Sequence, residues 1–259
     1  MPRPLPMIEA PVRRILGVRV HDVTMEEALR IVDAFLAEGG AHQICTVNPE
    51  FVMHARRNLP FFQVLERADL NVPDGVGLLW AGRILNQPLR ERVPGVEFME
   101  ALAARAAERG WRIFLLGAAE GVAARAATAL RSRYPGLTIA GTFAGSPRPE
   151  DAPEILERLR TAQPDLLFVA YGAPQQDLWI ARYQPELRIP VAMGVGGAFD
   201  FIAGVVPRAP RWMREHGLEW LYRLIQQPWR WRRMLALPRF VLAVLAARYG
   251  SGGTGAGAV

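Results

Sequence analysis

Leu166-Leu-Phe-Val-Ala170-Tyr-Gly172-Ala-Pro-Gln175-Gln176-Asp177-Leu-Trp-Ile-Ala-Arg-Tyr183 reads as a buried strand, a glycine turn and a helix in direct succession. The opening run is apolar without alternation, which suits a strand covered on both faces. A second apolar run, Val191–Val195, follows the helix. Similar runs occur earlier at Ile44–Val47, Asp69–Val72, Arg112–Leu116 and Leu137–Gly141. Helical spacing fills the intervals at Glu50–Arg67, Val96–Arg109, Gly121–Tyr134 and Glu150–Thr161. This alternation predicts an α/β, Rossmann-like fold: a mainly parallel sheet with helices on both faces. Ligands in such folds sit beyond the C-terminal strand ends, so the segments after the strands carry the candidate chemistry.

Composition narrows the function classes. The chain has 259 residues, is 51% hydrophobic and carries a net charge of +6. It contains no lysine, so every fixed cation is an arginine able to grip phosphate with two donors. No zinc-finger spacing or RNA-binding aromatic signature accompanies the basic charge, so a nucleic-acid partner is not expected. Cys45 is the only cysteine, which rules out an internal disulfide and suits a reducing cytoplasm. His21, His42, His54 and His216 are scattered, and no Asp-x-Asp pair is present, so no metal site and no cofactor are expected. Neither a P-loop nor a complete G-x-G-x-x-G occurs, because Phe199 stands where the third glycine belongs.

Four domain segments are expected. Residues 1–14 and 250–259 read as disordered termini, 15–204 as the Rossmann-like domain and 205–249 as a helical appendage. The Pro- and Arg-rich start lacks the apolar core of a signal peptide. Between Arg208 and Arg239 lie eight arginines and four of the seven tryptophans. Indoles such as Trp220 suit a boundary between apolar and wet surroundings, so this segment reads as a membrane-surface module or as an amphipathic cap. The apolar stretch Leu235–Ala247 contains Pro238 and Arg239 and is too short to span a bilayer.

Individual strand ends offer two readings each. In Thr46-Val-Asn48-Pro49, helix capping accounts for Asn48 and Pro49 but not for Thr46. In Pro73-Asp74-Gly75-Val76-Gly77, Asp74 is either a helix cap or a carboxylate facing the cleft. A helix N-terminus would keep it charged and a weak base unless burial raised its pKa. Arg90-Glu91-Arg92 leads into a helix start, which makes either an anion site or a surface ion pair. The glycines of Gly172-Ala-Pro-Gln175-Gln176 and Gly194-Val-Gly196-Gly197-Ala-Phe-Asp200 either admit a phosphate or pack as turns.

Taken together, these motifs resemble one family. Thr46-Val-Asn48-Pro49-Glu50, Pro73-Asp74-Gly75-Val76-Gly77, Arg92-Val-Pro-Gly95, Phe114-Leu-Leu-Gly117, Gly172-Ala-Pro174-Gln175-Gln176, Gly194 to Asp200, Arg208-Ala-Pro210 and Gly217-Leu-Glu-Trp-Leu-Tyr-Arg223 appear in one order. The chain is similar to the WecG/TagA/CpsF family of glycosyltransferases from about Gly17 to Arg233. Two departures stand out. The Gly-x-Pro-Lys-Gln-Glu pattern of many members reads Gly172-Ala-Pro-Gln-Gln-Asp177, and a Glu-Pro reads Gln227-Pro228.

The resemblance implies an inverting, metal-independent transfer of a hexosyl unit, N-acetylmannosamine-type or related, from a UDP-sugar. The implied acceptor is a polyprenyl-diphosphate-linked sugar at the inner face of the cytoplasmic membrane, in polysaccharide or teichoic acid synthesis. It also implies roles. Asp74 would be the base, and Arg92 would stabilise the leaving diphosphate. Thr46, Asn48 and Gln176 would hold the sugars, with Gly117, Gly172, Gly194, Gly196, Gly197 and Asp200 around the substrates. Arg223, Arg230, Arg233 and Trp220 would meet the lipid diphosphate and the membrane. Other readings are a glucosyltransferase of the same family, an NAD-dependent Rossmann enzyme and a non-catalytic membrane-surface scaffold. The oligomeric state, a homo-oligomer included, stays open.

Overall fold

The computed structural model describes residues 10–249, except Arg211, Arg214, Glu215, Gly217, Trp229 and Arg230 and the side chains of Arg223, Arg232 and Arg233. The expectations for residues 1–9 and 250–259 fall outside the described residues.

Six parallel strands form the sheet. They are β3 (His42–Val47), β4 (Leu70–Pro73), β5 (Arg112–Gly117), β6 (Thr138–Phe143), β7 (Leu166–Ala170) and β8 (Val191–Gly194), in spatial order β4-β3-β8-β7-β5-β6. All six coincide with the apolar runs in the sequence. The alternating pleat explains why those runs are apolar throughout. In β7, Leu166 and Phe168 join one core cluster and Leu167 and Val169 the other.

Helices cover both faces. On one lie α1 (Met25–Glu38), α5 (Gly95–Arg109), α6 (Val122–Arg133) and the short α9 (Ala198–Ile202). The other holds α2 (Pro49–Ala55), α3 (Leu59–Arg67), α4 (Val76–Ile84), α7 (Ala152–Ala162) and α8 (Gln175–Leu187). The predicted helix Glu50–Arg67 is two helices. Asn58 caps the second by accepting from the Phe61 N–H at 3.0 Å, and Pro60 opens its first turn.

Two elements precede the predicted domain pattern. Val12–Ile15 (β1) and Val18–His21 (β2) form an antiparallel hairpin. The expected disordered leader through Arg14 is therefore corrected: the chain is a paired strand from Val12, with Ile15, Val18 and Val20 fully buried. Helix α1 starts on a capping box, in which Thr24 accepts from the Glu27 N–H and Glu27 from the Thr24 N–H.

After α9 come α10 (Glu219–Gln226), the single turn α11 (Trp231–Met234) and α12 (Ala236–Tyr249). No helix of the described residues is long and apolar enough to cross a membrane. Helix α12 instead packs on α2 and α4, burying Phe240 and Val244 beside Phe51, Val52, Leu78 and Ala81. Each such side chain contributes about 1.5–3 kcal/mol by burial.

Candidate active site

Hydrogen bonds at the C-terminal ends of β3 and β4 fix the first wall of the site. The Asp74 N–H donates to the Val47 carbonyl at 2.7 Å, extending the ladder by one residue. The Val93 N–H donates to the Pro73 carbonyl at 2.8 Å, which brings Arg92 back beside Asp74. Gly95 opens α5 directly over Thr46. A Cβ at Gly95 would stand 3.1 Å from Thr46 Cγ2, a tight contact that would press on the threonine. Gly77 likewise brings α4 against Pro49, where a Cβ would meet Pro49 Cγ at 2.8 Å.

These turns enclose a cavity of about 520 Å³, large enough for a small-molecule substrate. Thr46, Asn48, Asp74, Arg92, Gly172, Gln176, Gly196, Gly197 and Asp200, singled out in the sequence as substrate-site candidates, all line it, and so does Trp220, which the sequence assigned to the membrane. Asn48 serves two ends: its side-chain Oδ1 accepts from the Phe51 N–H at 3.0 Å and caps α2, and the same residue borders the cavity.

Asp74 is not a helix cap. Gly75 occupies that position, with φ of 123° and no side-chain cap bond. The half-buried Asp74 instead stands on the cavity wall, and its pKa rises to about 7. Burial is the main cause, opposed by the Arg92 guanidinium and by a hydrogen bond from the Gly95 backbone, and reinforced by Glu219 and Glu97. The expectation of a charged, weak base is thus corrected: desolvation outweighs the helix N-terminus, and Asp74 titrates near neutrality. Arg90 turns the other way, pairing with Glu27 at 2.6 Å and with Asp22 at 3.3 Å. Of the two arginines in that motif, only Arg92 serves the cavity.

The opposite wall is made of turns. Gln176 is 2% exposed, and its Oε1 accepts from the Gly172 N–H at 3.1 Å and the Gly196 N–H at 2.9 Å. One side-chain oxygen therefore ties the β7 and β8 turns together. Two predicted ligand glycines are packing positions instead. At Gly117 a Cβ would stand 2.8 Å from the Ala170 backbone, and at Gly194 one would stand 2.5 Å from Gln176 Nε2. Neither lines the cavity. Behind Gln176, Asp177 is fully buried against the Cys45 thiol, and its pKa also rises to about 7 through burial.

Arg223, Arg230 and Arg233 fall outside the described residues, in full or by their side chains. Residues that motif reading did not single out also reach the cavity: Glu50, Glu97, Tyr171 and Glu219. Glu219 lay within the quoted Gly-Leu-Glu-Trp block. Glu97, two residues past Gly95, carried no signal of its own.

Comparison with known proteins bears on the whole chain. Residues 13–253 match the model of the glycosyl transferase WecG/TagA/CpsF family. The chain belongs to this family. It is a glycosyltransferase. A relative from Bacillus subtilis (strain 168) is 39% identical over 202 residues, 78% of each chain. Another, from Staphylococcus aureus (strain MW2), is 32% identical over 236 residues, 90% of this chain and 92% of its own. Both bear the name N-acetylglucosaminyldiphosphoundecaprenol N-acetyl-beta-D-mannosaminyltransferase. Within this WecG/TagA/CpsF member, residues of the motifs that begin at Thr46, Pro73, Arg92 and Gly172 border one cavity.

Proposed function

We propose that this glycosyltransferase moves an N-acetylmannosamine-type hexosyl unit from a UDP-sugar to N-acetylglucosamine on a polyprenyl diphosphate, with inversion. One observation carries the reading: a carboxyl that titrates near pH 7 shares a cavity with an arginine and with neutral hydrogen-bonding side chains. The relatives' names supply the sugar and the acceptor class.

The chemistry follows from this arrangement. The acceptor hydroxyl attacks the anomeric carbon, and its proton passes to Asp74. The bond from that carbon to the diphosphate oxygen breaks, and the electron pair leaves with UDP. Arg92 meets the charge that builds on the diphosphate. Thr46, and Asn48 through its amide N–H groups, orient sugar hydroxyls. The glycine turns held by Gln176 let the diphosphate approach backbone N–H groups. No divalent ion has a role in this scheme.

The proposed lipid-linked acceptor carries with it a proposed site of reaction, the inner membrane surface. Trp212, Trp220, Trp231 and Ile225 are exposed along the C-terminal elements, as side chains that enter a bilayer interface would be. Arg223, Arg230 and Arg233 are assigned from the sequence to the lipid diphosphate. The test is UDP release from a panel of UDP-sugars, with a short-chain polyprenyl-diphosphate acceptor and EDTA present. Acceptor-dependent release with one donor is the expected result. No release from any donor by a folded, UDP-binding protein would sink the proposal.

A further inference from the structure

Helix α10 brings Glu219 to the cavity wall, and Glu97 reaches the same wall from the first turn of α5. A single guanidinium holds both. Arg208 contacts Glu97 directly and lies 3.5 Å from Glu100 and 3.7 Å from Glu219. Arg208 does not itself line the cavity. Its cation stands behind the two carboxylates, whereas Glu97 and Glu219 border the same space as Asp74. These ion-paired side chains are only 21–29% exposed, so solvent screens them less than it screens a surface pair.

We propose that Glu219 is a positioning residue for the transfer reaction: fixed by Arg208 on the cavity wall, its carboxylate sets the base strength of Asp74, which therefore depends on α10 being seated. The inference rests on Asp74 being the base, as read above. A like charge nearby disfavours ionised Asp74 and so strengthens it as a proton acceptor, in the same direction as burial. Arg92 acts in the opposite direction. The other charged or titratable groups bordering the cavity, among the described residues, are Glu97 on α5, Glu50 on α2, Asp200 on α9 and Tyr171 after β7.

Seating α10 and strengthening the base thereby become one event. With the helix displaced, Asp74 is a weaker base. Glu219 touches no reacting atom in this scheme and acts through Asp74.

The experiment is the pH profile of kcat/KM for acceptor-dependent UDP release, measured on the full chain, on Glu219→Gln and on Glu219→Asp. The acid limb reports the free-enzyme pKa of the base. In Glu219→Gln it is expected to move to lower pH by about half a unit or more. Glu219→Asp is expected to restore it toward the wild-type position. An unmoved limb in Glu219→Gln, or a limb that Glu219→Asp fails to restore, overturns the proposal. Glu97→Gln removes the second like charge without changing a residue of α10. It is expected to shift the limb in the same direction by less, and it carries the test if Glu219→Gln does not fold; an unmoved limb there overturns the electrostatic argument. Asp74→Asn separates the two claims. Undiminished release in that variant sinks Asp74 as the base, whereas an unmoved Glu219→Gln limb with an inactive Asp74→Asn sinks only the role of Glu219.

Discussion

The wall built on β3 and β4 and the wall built on β7 and β8 use their residues in opposite ways. On the first, side chains face the cavity: Thr46, Asp74 and Arg92 present a hydroxyl, a titratable carboxyl and a cation. On the second, Gln176 turns its oxygen into the protein and holds two backbone turns. Chemistry is concentrated on one wall and shape on the other. A change on the first should strike turnover, and a change on the second should strike affinity and stability.

Asp74→Asn is the strongest test of that division. It removes the proton acceptor while keeping the volume, so kcat should fall by about 10²–10⁴-fold with UDP binding retained. An equal loss of UDP affinity in a binding titration would erase the distinction between the walls. Gln176→Ala is the counterpart. It leaves the half-buried Gly172 and Gly196 N–H groups without their protein acceptor, at about 1 kcal/mol for each. The expected result is a lower unfolding temperature and a raised donor KM, with a smaller effect on kcat.

Asp177 gives a prediction in pH. Its pKa rises from the usual 3.8 to about 7 in the folded protein because burial penalises the anion. The native state therefore holds this proton more tightly than the unfolded chain. That contribution is complete below the ordinary carboxylate value and is lost as pH rises through about 7. Asp177→Asn should thus unfold at higher temperature than wild type above neutral pH, by on the order of 1–3 kcal/mol, with the gap closing in acid. Thermal scans across pH decide it, and a gap that widens in acid would contradict the sign. Arg90→Ala should matter least. Arg90 pairs with the buried Asp22 and with Glu27 away from the cavity, and its loss should leave turnover unchanged.

Sequence reading reached the sheet because parallel strands covered on both faces must be apolar at every position, and Leu166–Ala170 is apolar throughout. The β1–β2 hairpin escaped it for the converse reason. Its strands carry Arg13, Arg14 and Arg19, and only Ile15, Val18 and Val20 turn fully inward. Helix α1 did have a local signal, since Thr24 and Glu27 spell out a capping box. In the site, Asp74 and Arg92 stood out through their motifs. The packing roles of Gly117 and Gly194 did not, because a glycine that admits a ligand and one that admits a neighbouring backbone look alike in sequence. Glu97 and Arg208 acquire meaning only when tertiary structure brings α5 and the chain after α9 together.

Helix α12 changes what the C-terminal segment is. Because Phe240 and Val244 are part of the core, the chain from Ile202 to Ala236 is fastened to the domain at both ends. It behaves as a closed loop rather than as a free tail, and the short tether keeps the local concentration of Trp220 and Glu219 at the cavity high. Cutting the chain after Val205 would strip a face of α2 and α4 of its cover. Such a truncate would report on folding before it reported on catalysis.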